Sequence, residues 1–454
     1  MSNIKSITKG KMWCYAIGQL GWSMLSGLIA SWLVYFYQPD FESIKSGMPF
    51  LIPQGKFIFG ALTVIGLITA LGRIFDAITD PFVGSWSDKC KSNLGRRIPF
   101  LKYSAIPFGL TTILVFCAPI KAISSINVIW LFIFITAYYF AITCYCTPYT
   151  SLIAELAHTQ EEKLQISTCI SLTFIVGTAV AYVAPVIWGI FINNGMERID
   201  AMRLTFSILS IIGTIFLLVP VFTINEKDYV DIKPSTSNMF SSLLKTFKNS
   251  NFRIFVYQDV VYFFALTLFQ TGLPFFVTML FQLPETFATP IFVGITAMSL
   301  LFYPIVNILA KKFGKKKCVF LAFILFCLTF GFTGIAGPAL GIPKIIQAIL
   351  VVILGSFPMA LFGILPQAMV ADIAQAETEE TGENRSGMFY AARTFAYKLG
   401  QSIAMIAFTS MATIGIEQGT GYRIIALTAS LFCLIGGILL LKYDEKKIIS
   451  KIKE

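Results

Sequence analysis

The stretch GRIFDAITDP, Gly72–Pro81, places Arg73, Asp76 and Asp80 inside a long apolar run. Their spacing of i, i+3 and i+7 predicts a single helix with all three on one face. The surrounding run, Phe57–Trp86, is long enough to cross a hydrocarbon core of about 30 Å. An ionisable side chain at the centre of such a helix costs roughly 2.5–3.5 kcal/mol on insertion scales, so three together need a task. Two carboxylates one turn apart repel unless a cation or a proton lies between them. Oxygens of Asp76, Thr79 and Asp80 suit a hard ion such as Na⁺. Crowding that favours one protonated carboxyl suits H⁺ equally well.

Working outward, the same kind of apolar run recurs along the chain. The first set is Trp13–Tyr37, Phe57–Trp86, Ile98–Ala118, Val128–Ile153, Ile166–Ile192 and Leu204–Ile224. The second set is Ile254–Leu280, Pro290–Ala310, Cys318–Pro338, Ile345–Val370, Met388–Ile416 and Tyr422–Leu441. The expected architecture is an all-α membrane protein of twelve transmembrane helices in two six-helix pseudo-repeats. It divides into an N-terminal bundle (1–224), a central linker (225–253) and a C-terminal bundle with a short basic tail (254–454). Two such halves are the layout of a secondary transporter.

Composition agrees, with 56% hydrophobic and 13% charged residues over 454 positions and a mean hydropathy of +0.75. A net charge of +11 raises a nucleic-acid reading, but the lysines and arginines concentrate in alternate short loops. That is the pattern of orientation in a bilayer, and it predicts cytoplasmic N- and C-termini. The first apolar run is too long for a signal-peptide core and is expected to stay as the first span. The nine cysteines fall mostly in apolar runs without metal or redox spacing, as small apolar fillers. The one histidine, His158, reads as a solvated loop residue, which excludes a histidine proton relay.

Two loops are related. GSWSDKCKSNLGRR (Gly84–Arg97) follows the second span, and LAKKFGKKK (Leu309–Lys317) follows the eighth. Both are short, basic and glycine-containing, as a duplicated half predicts. Asp88, Arg96 and Arg97 in the first are expected to clasp helix ends as part of a gate, together with Arg73 and Arg393. The linker segment FSSLLKTFK (Phe240–Lys248) reads as a basic amphipathic piece on the membrane surface or a solvated helix.

The counter-charge comes from the eleventh span, where FAYKLGQS places Lys398 near mid-bilayer, with Arg393 a turn and a half earlier. A buried lysine beside two carboxylates neutralises the site, and a bound cation competes with it. The bland alternative is a static salt bridge between two helices. A fixed ion pair contributes little net stability in a dry site, which favours a functional role.

At these residues the chain resembles the glycoside-pentoside-hexuronide:cation symporters, the melibiose-permease branch of the major facilitator superfamily. One matching signature is RIFDAITDPFVGSWSDK…GRRIPFLKYSAIP (Arg73–Pro107). The other is MVADIAQAETEETGENRSGMFYAARTFAYKLGQS (Met369–Ser402). Both also occur in the related sodium-dependent lysophospholipid transporters. The resemblance implies a Na⁺ or H⁺ site formed by Asp76, Thr79, Asp80 and Lys398, with Thr79 where melibiose permeases usually carry Asn. It also implies a bacterial inner-membrane location, a monomer, and no cofactor besides the coupling ion.

The sugar pocket departs from the pattern. The first-span run GQLGWS (Gly18–Ser23) has Trp22 and Ser23 where melibiose permeases have Lys-Asp. The fourth-span segment CYCTPYTS (Cys144–Ser151) has Cys146 and Thr150 where they have Asp and Trp. Candidate substrate residues are therefore Gln19, Trp22, Ser23, Cys146, Tyr149, Thr150, Gln270 and Gln401, with Tyr145 also available. Trp22 also reads as lipid-facing filler. Asp259, in YQDVVYF, has no evident partner and either faces the cavity or is solvated near the cytoplasmic end.

A small organic solute, a sugar or glycoside foremost, is the expected cargo, and a lysophospholipid or other amphiphile is the alternative. An intramembrane prenyltransferase-like enzyme is weighed because DAITD resembles a diphosphate-binding motif. The nearest candidate for a second acidic motif, ADIAQAETEE (Ala371–Glu380), reads as a cytoplasmic loop of the transporter signature. A non-transporting receptor has little reason to keep Asp76, Asp80 and Lys398 together.

Overall fold

The computed structural model describes residues 6–56, 60, 62–157, 159–229, 246–382 and 386–453, and among these it contains helices and no strands. The helices are α1 (Lys9–Tyr37), α2 (Phe41–Lys45), α3 (Val64–Asp88), α4 (Ile98–Phe116), α5 (Ser125–Leu156), α6 (Gln160–Tyr182), α7 (Ala184–Asn193) and α8 (Arg198–Thr223). They continue as α9 (Ser250–Phe275), α10 (Ala288–Phe313), α11 (Lys315–Ile335), α12 (Lys344–Thr381), α13 (Ser386–Met411), α14 (Thr420–Leu440) and α15 (Glu445–Lys453). His158 and most of the linker piece Phe240–Lys248 lie outside the described residues.

Ten described segments are long and apolar enough to cross a membrane. The two long helices outside that set, α3 and α13, carry the charges Arg73, Asp76 and Asp80, and Arg393 and Lys398. Two compact units result. One comprises Met1–Pro39, Ser43–Gln54 and Leu67–Ser237, and the other Asp40–Glu42, Gly55–Gly66 and Asn238–Glu454. In the first, α1 packs on α6 and α8, and α4 on α5 and α8. In the second, α9 packs on α13 and α14, and α11 on α12 and α14, repeating the same pairings.

Helix ends follow local chemistry. Ser124 caps α5, Thr159 and Glu162 form a capping box on α6, and Asn249 caps α9, each satisfying otherwise orphaned N–H groups. The fifth span, expected as one run, breaks into α6 and α7 before Pro185. Pro185 has no N–H to give the Ala181 carbonyl four residues earlier. The Trp32 indole N–H supplies that donor at 2.9 Å, tying α1 to the break.

One expectation needs correction. Ala371–Glu380 is not a loop, because α12 continues through it to Thr381. Its alanines, glutamine and glutamates are strong helix formers, and no breaker lies between Pro366 and Gly382, which closes the helix at φ +72°. The basic tail forms α15, with Tyr443 just before it and Ile448 within it both buried. All nine cysteines are free.

Candidate functional site

In the first bundle α3 lies along α5, and three contacts share one offset of 67 residues. The Tyr139 ring fills the space a Cβ on Gly72 would occupy, 2.6 Å from the nearest ring carbon. Thr143 donates its hydroxyl to Asp76 Oδ1 at 2.6 Å, and Thr147 donates to Asp80 Oδ1 at 3.2 Å. Rungs every four residues at a constant offset mean that α3 and α5 run parallel and in register. Close approach at Gly72 brings the hydroxyls within reach of the carboxylates one and two turns on.

Asp76 is buried, Thr79 and Asp80 are half-buried, and the Thr79 hydroxyl lies 3.4 Å from that of Thr143. Thr79 also donates to the Phe75 and Asp76 carbonyls, at 3.0 and 3.1 Å. The arrangement is thus two carboxylates and three hydroxyls over two helical turns. Such oxygens are hard ligands for a small cation, and each hydroxyl can rotate to offer a lone pair instead of its proton. Arg73, also half-buried, holds its guanidinium carbon 5.9 Å from the Tyr139 ring centroid. Thr143 and Thr147 were missed in the sequence. The usable signal was a Thr pair at i, i+4 in ITCYCTPYT, matching the spacing of the Asp pair.

The candidates for a solute site in this bundle are placed differently from one another. Tyr149 is fully buried, stacks on Tyr15 with ring centroids 4.3 Å apart, and donates to the Tyr15 carbonyl at 2.8 Å. Tyr15 returns the bond to the Tyr149 carbonyl. Its hydroxyl is therefore spent on joining α1 to α5. Ser23 is buried in the α1–α6 seam against Gly177 and donates to the Gln19 carbonyl at 2.8 Å. Thr150 is exposed and bonds back to the carbonyls of Cys146 and Thr147. Trp22 is half-buried, edge-on to Tyr149 at 6.2 Å, so it is packed on an aromatic cluster with Tyr15 and Tyr145. Gln19 is buried and Cys146 half-buried.

The second bundle holds Lys398, Gln270 and Gln401, all half-buried. Arg393, expected among the gating charges, makes a bidentate pair with Asp259. Nε meets Oδ2 at 2.7 Å and Nη2 meets Oδ1 at 3.0 Å. Asp259 is 1% exposed and Arg393 5%, so neither earlier reading of Asp259, cavity-facing or solvated, describes it. One turn on, Phe263 stacks on Tyr397 at 4.2 Å, and Val260 covers Gly400. This seam fixes the rotation of α13, and with it the direction of Lys398, the residue after Tyr397.

At one end of the first bundle, Arg97 binds Asp88 at 2.5 Å and Glu155 at 3.1 Å, and Arg96 binds the same Glu155 oxygen at 3.1 Å. Glu226, fully buried, accepts the N–H groups of Arg96, Arg97 and Ile98 at 2.7–3.0 Å. It caps α4, where a carboxylate also meets the positive end of the helix. Gly95 permits this, with φ +106° and no Cβ to collide with the Glu226 carboxylate. The second bundle repeats the device 219 residues later. Glu445 accepts Lys315 N–H at 2.6 Å and Lys316 N–H at 3.1 Å, beside Gly314 at φ +88°. Lys315 Nζ binds Asp372 at 2.5 Å.

The family described as MFS/sugar transport protein matches this sequence over residues 14–441. The uncharacterized symporter YnaJ of Bacillus subtilis is 22% identical over 408 residues, 88% of this chain and 82% of that protein. The isoprimeverose transporter of Lactiplantibacillus pentosus is 20% identical over 394 residues, 86% of this chain and 77% of that protein. The sodium-dependent lysophosphatidylcholine symporter 1 of Xenopus tropicalis is 32% identical over 100 residues, 21% of this chain and 18% of that protein. Among solved structures, a D-xylose-proton symporter superposes with a TM-score of 0.64 at 15% identity, covering 94% of this chain and 96% of that one. The chain therefore belongs to the MFS/sugar transport protein family, as an integral membrane protein of the glycoside-pentoside-hexuronide:cation symporter type within the major facilitator superfamily.

Proposed function

We propose that this protein is a secondary symporter that couples a cation, held by Asp76 and Asp80, to uptake of a sugar or glycoside across a bacterial inner membrane. The observation that carries the reading is the pairing of two intramembrane carboxylates with the hydroxyls of Thr143 and Thr147. A structural anchor needs no second carboxylate one turn from the first. A coupling site needs a charge that changes partner. In this reading a counter-charge neutralises the pair when no cation is bound. Na⁺ displaces it and draws the threonine hydroxyls round as ligands. With H⁺, a protonated carboxyl donates to the threonine oxygen instead, and the hydrogen bond reverses direction.

Alternating access then follows from charge. The carrier reorients when the site holds either its counter-charge or the cation, and resists when two bare carboxylates face each other. A glycoside cargo is supported by similarity to the isoprimeverose transporter over most of both chains. The clustering of lysines and arginines in alternate loops supports cytoplasmic termini. A second reading, an amphiphile of the lysophospholipid kind as cargo, is favoured by the 32% identity to the lysophosphatidylcholine symporter over its matched segment.

The test is ligand-dependent thermal stability of the purified protein, with glycosides and lysolipids each in Na⁺ and in choline. A ligand that binds only the folded state raises its melting temperature. A Na⁺-dependent shift with a glycoside supports the first reading, and a shift confined to lysolipids supports the second. The coupling role fails if Asp76→Asn leaves cation-driven uptake and its cation dependence unchanged.

A further inference from the structure

The two repeated turns differ in how their charge is met. In the first bundle the arginines of the turn point inward and are neutralised by Asp88 and Glu155. At the position 219 residues after Asp88 the second bundle has Asn307, and the acid is missing. Five of the seven residues Lys311–Lys317 are lysine. Asp372 neutralises Lys315, and the Glu445 carboxylate is turned onto main-chain N–H groups.

α15 then adds charge to the same turn. The bonds from Lys315 and Lys316 N–H to Glu445, and from Lys316 Nζ to the Leu441 carbonyl at 2.8 Å, bring Lys442 and Lys446 beside it. Lys311, Lys312, Lys317, Lys442 and Lys446 are all exposed and form no ion pair among the described residues. Next to them the apolar surface begins. Phe313 is 48% and Leu441 56% exposed, and Lys312 lies 5.3 Å from the Phe313 ring centroid.

We propose that this face is a binding site for the headgroup phosphate of an anionic phospholipid, with an acyl chain lying on Phe313 and Leu441. Lysine ammoniums are compact charges that meet a phosphodiester without bidentate geometry. Each one near an anionic membrane surface strengthens attraction about fivefold. The site is preorganised, because the Glu445 cap holds the α15 lysines over the turn before any lipid arrives. The proposal is independent of the solute the carrier moves.

The experiment uses the full chain in phosphatidylcholine nanodiscs with and without phosphatidylglycerol, counting retained phosphatidylglycerol by native mass spectrometry. One variant combines Lys311→Gln, Lys312→Gln and Lys446→Gln. A control removes equal charge from the first bundle, with Lys89→Gln, Lys91→Gln and Lys102→Gln. The expected result is a loss of phosphatidylglycerol preference of about 100-fold in the first variant and less than about threefold in the control. Equal losses in both variants, or no preference in the unmodified protein, overturn the proposal. Inorganic phosphate that displaces phosphatidylglycerol at low concentration would assign the lysines to a free anion, and overturns it too.

Discussion

Thr143 lies 67 residues after Asp76 and donates its hydroxyl to Asp76 Oδ1 at 2.6 Å; Thr147 stands in the same relation to Asp80. The shared offset makes the site a property of helix register. Sliding α5 by one residue along α3 separates both pairs together, so the two hydrogen-bonded pairs are gained or lost as a unit.

Replacing Thr143 by Val keeps the shape and removes the hydroxyl. One lost hydrogen-bonding ligand to a charged group corresponds to about 1.5–3 kcal/mol, or roughly 10- to 150-fold weaker cation activation. Initial uptake rates against cation concentration measure this, and Thr143→Ser is expected to restore most of the affinity. Equal activation curves for the Val variant and the unmodified protein would place the cation elsewhere.

Gly72→Ala forces a methyl group to within 2.6 Å of the Tyr139 ring. Overpacking of this kind costs about 1–3 kcal/mol and pushes α3 off α5. A lower melting temperature and weaker cation activation are expected together. Tyr139→Leu in the same chain should recover both, which separates lost register from a general folding defect.

Asp259→Asn leaves the Arg393 guanidinium buried without its counter-charge. Breaking a buried pair from one side costs about 3–5 kcal/mol. Asp259→Asn with Arg393→Gln is expected to destabilise by less than the sum of the single changes, read from unfolding midpoints. An additive double variant contradicts the pairing.

Glu226→Gln and Glu445→Gln test the repeated cap. Each carboxylate accepts charge-assisted bonds from main-chain N–H groups, so about 1–3 kcal/mol is expected from each. The Glu226 change should cost more, because it holds three N–H groups and is fully buried. Chemical denaturation of the two single variants decides the order.

Much of this was legible in the chain itself. Apolar runs of spanning length do not depend on tertiary partners, because a bilayer offers no water to their backbone groups, and helices are the simple solution. Asp76 and Asp80 stood out for the same reason, since charge in an apolar run is costly wherever the helix packs. The duplicated basic turns after the second and eighth spans were visible as composition.

What the sequence left undecided depended on contacts between segments far apart in it. Tyr149 and Ser23 look like solute ligands by position, yet their hydroxyls satisfy carbonyls in helix seams. Asp259 found its counter-charge 134 positions away in Arg393. Thr143 and Thr147 reach the carboxylates because Gly72 lets α3 approach Tyr139. Sequence alone determined that charge sits inside the membrane and on which helix face. The tertiary structure decided which oxygen meets which charge, because that depends on helix register and rotation, set by packing at Gly72 and along the Asp259–Arg393 seam.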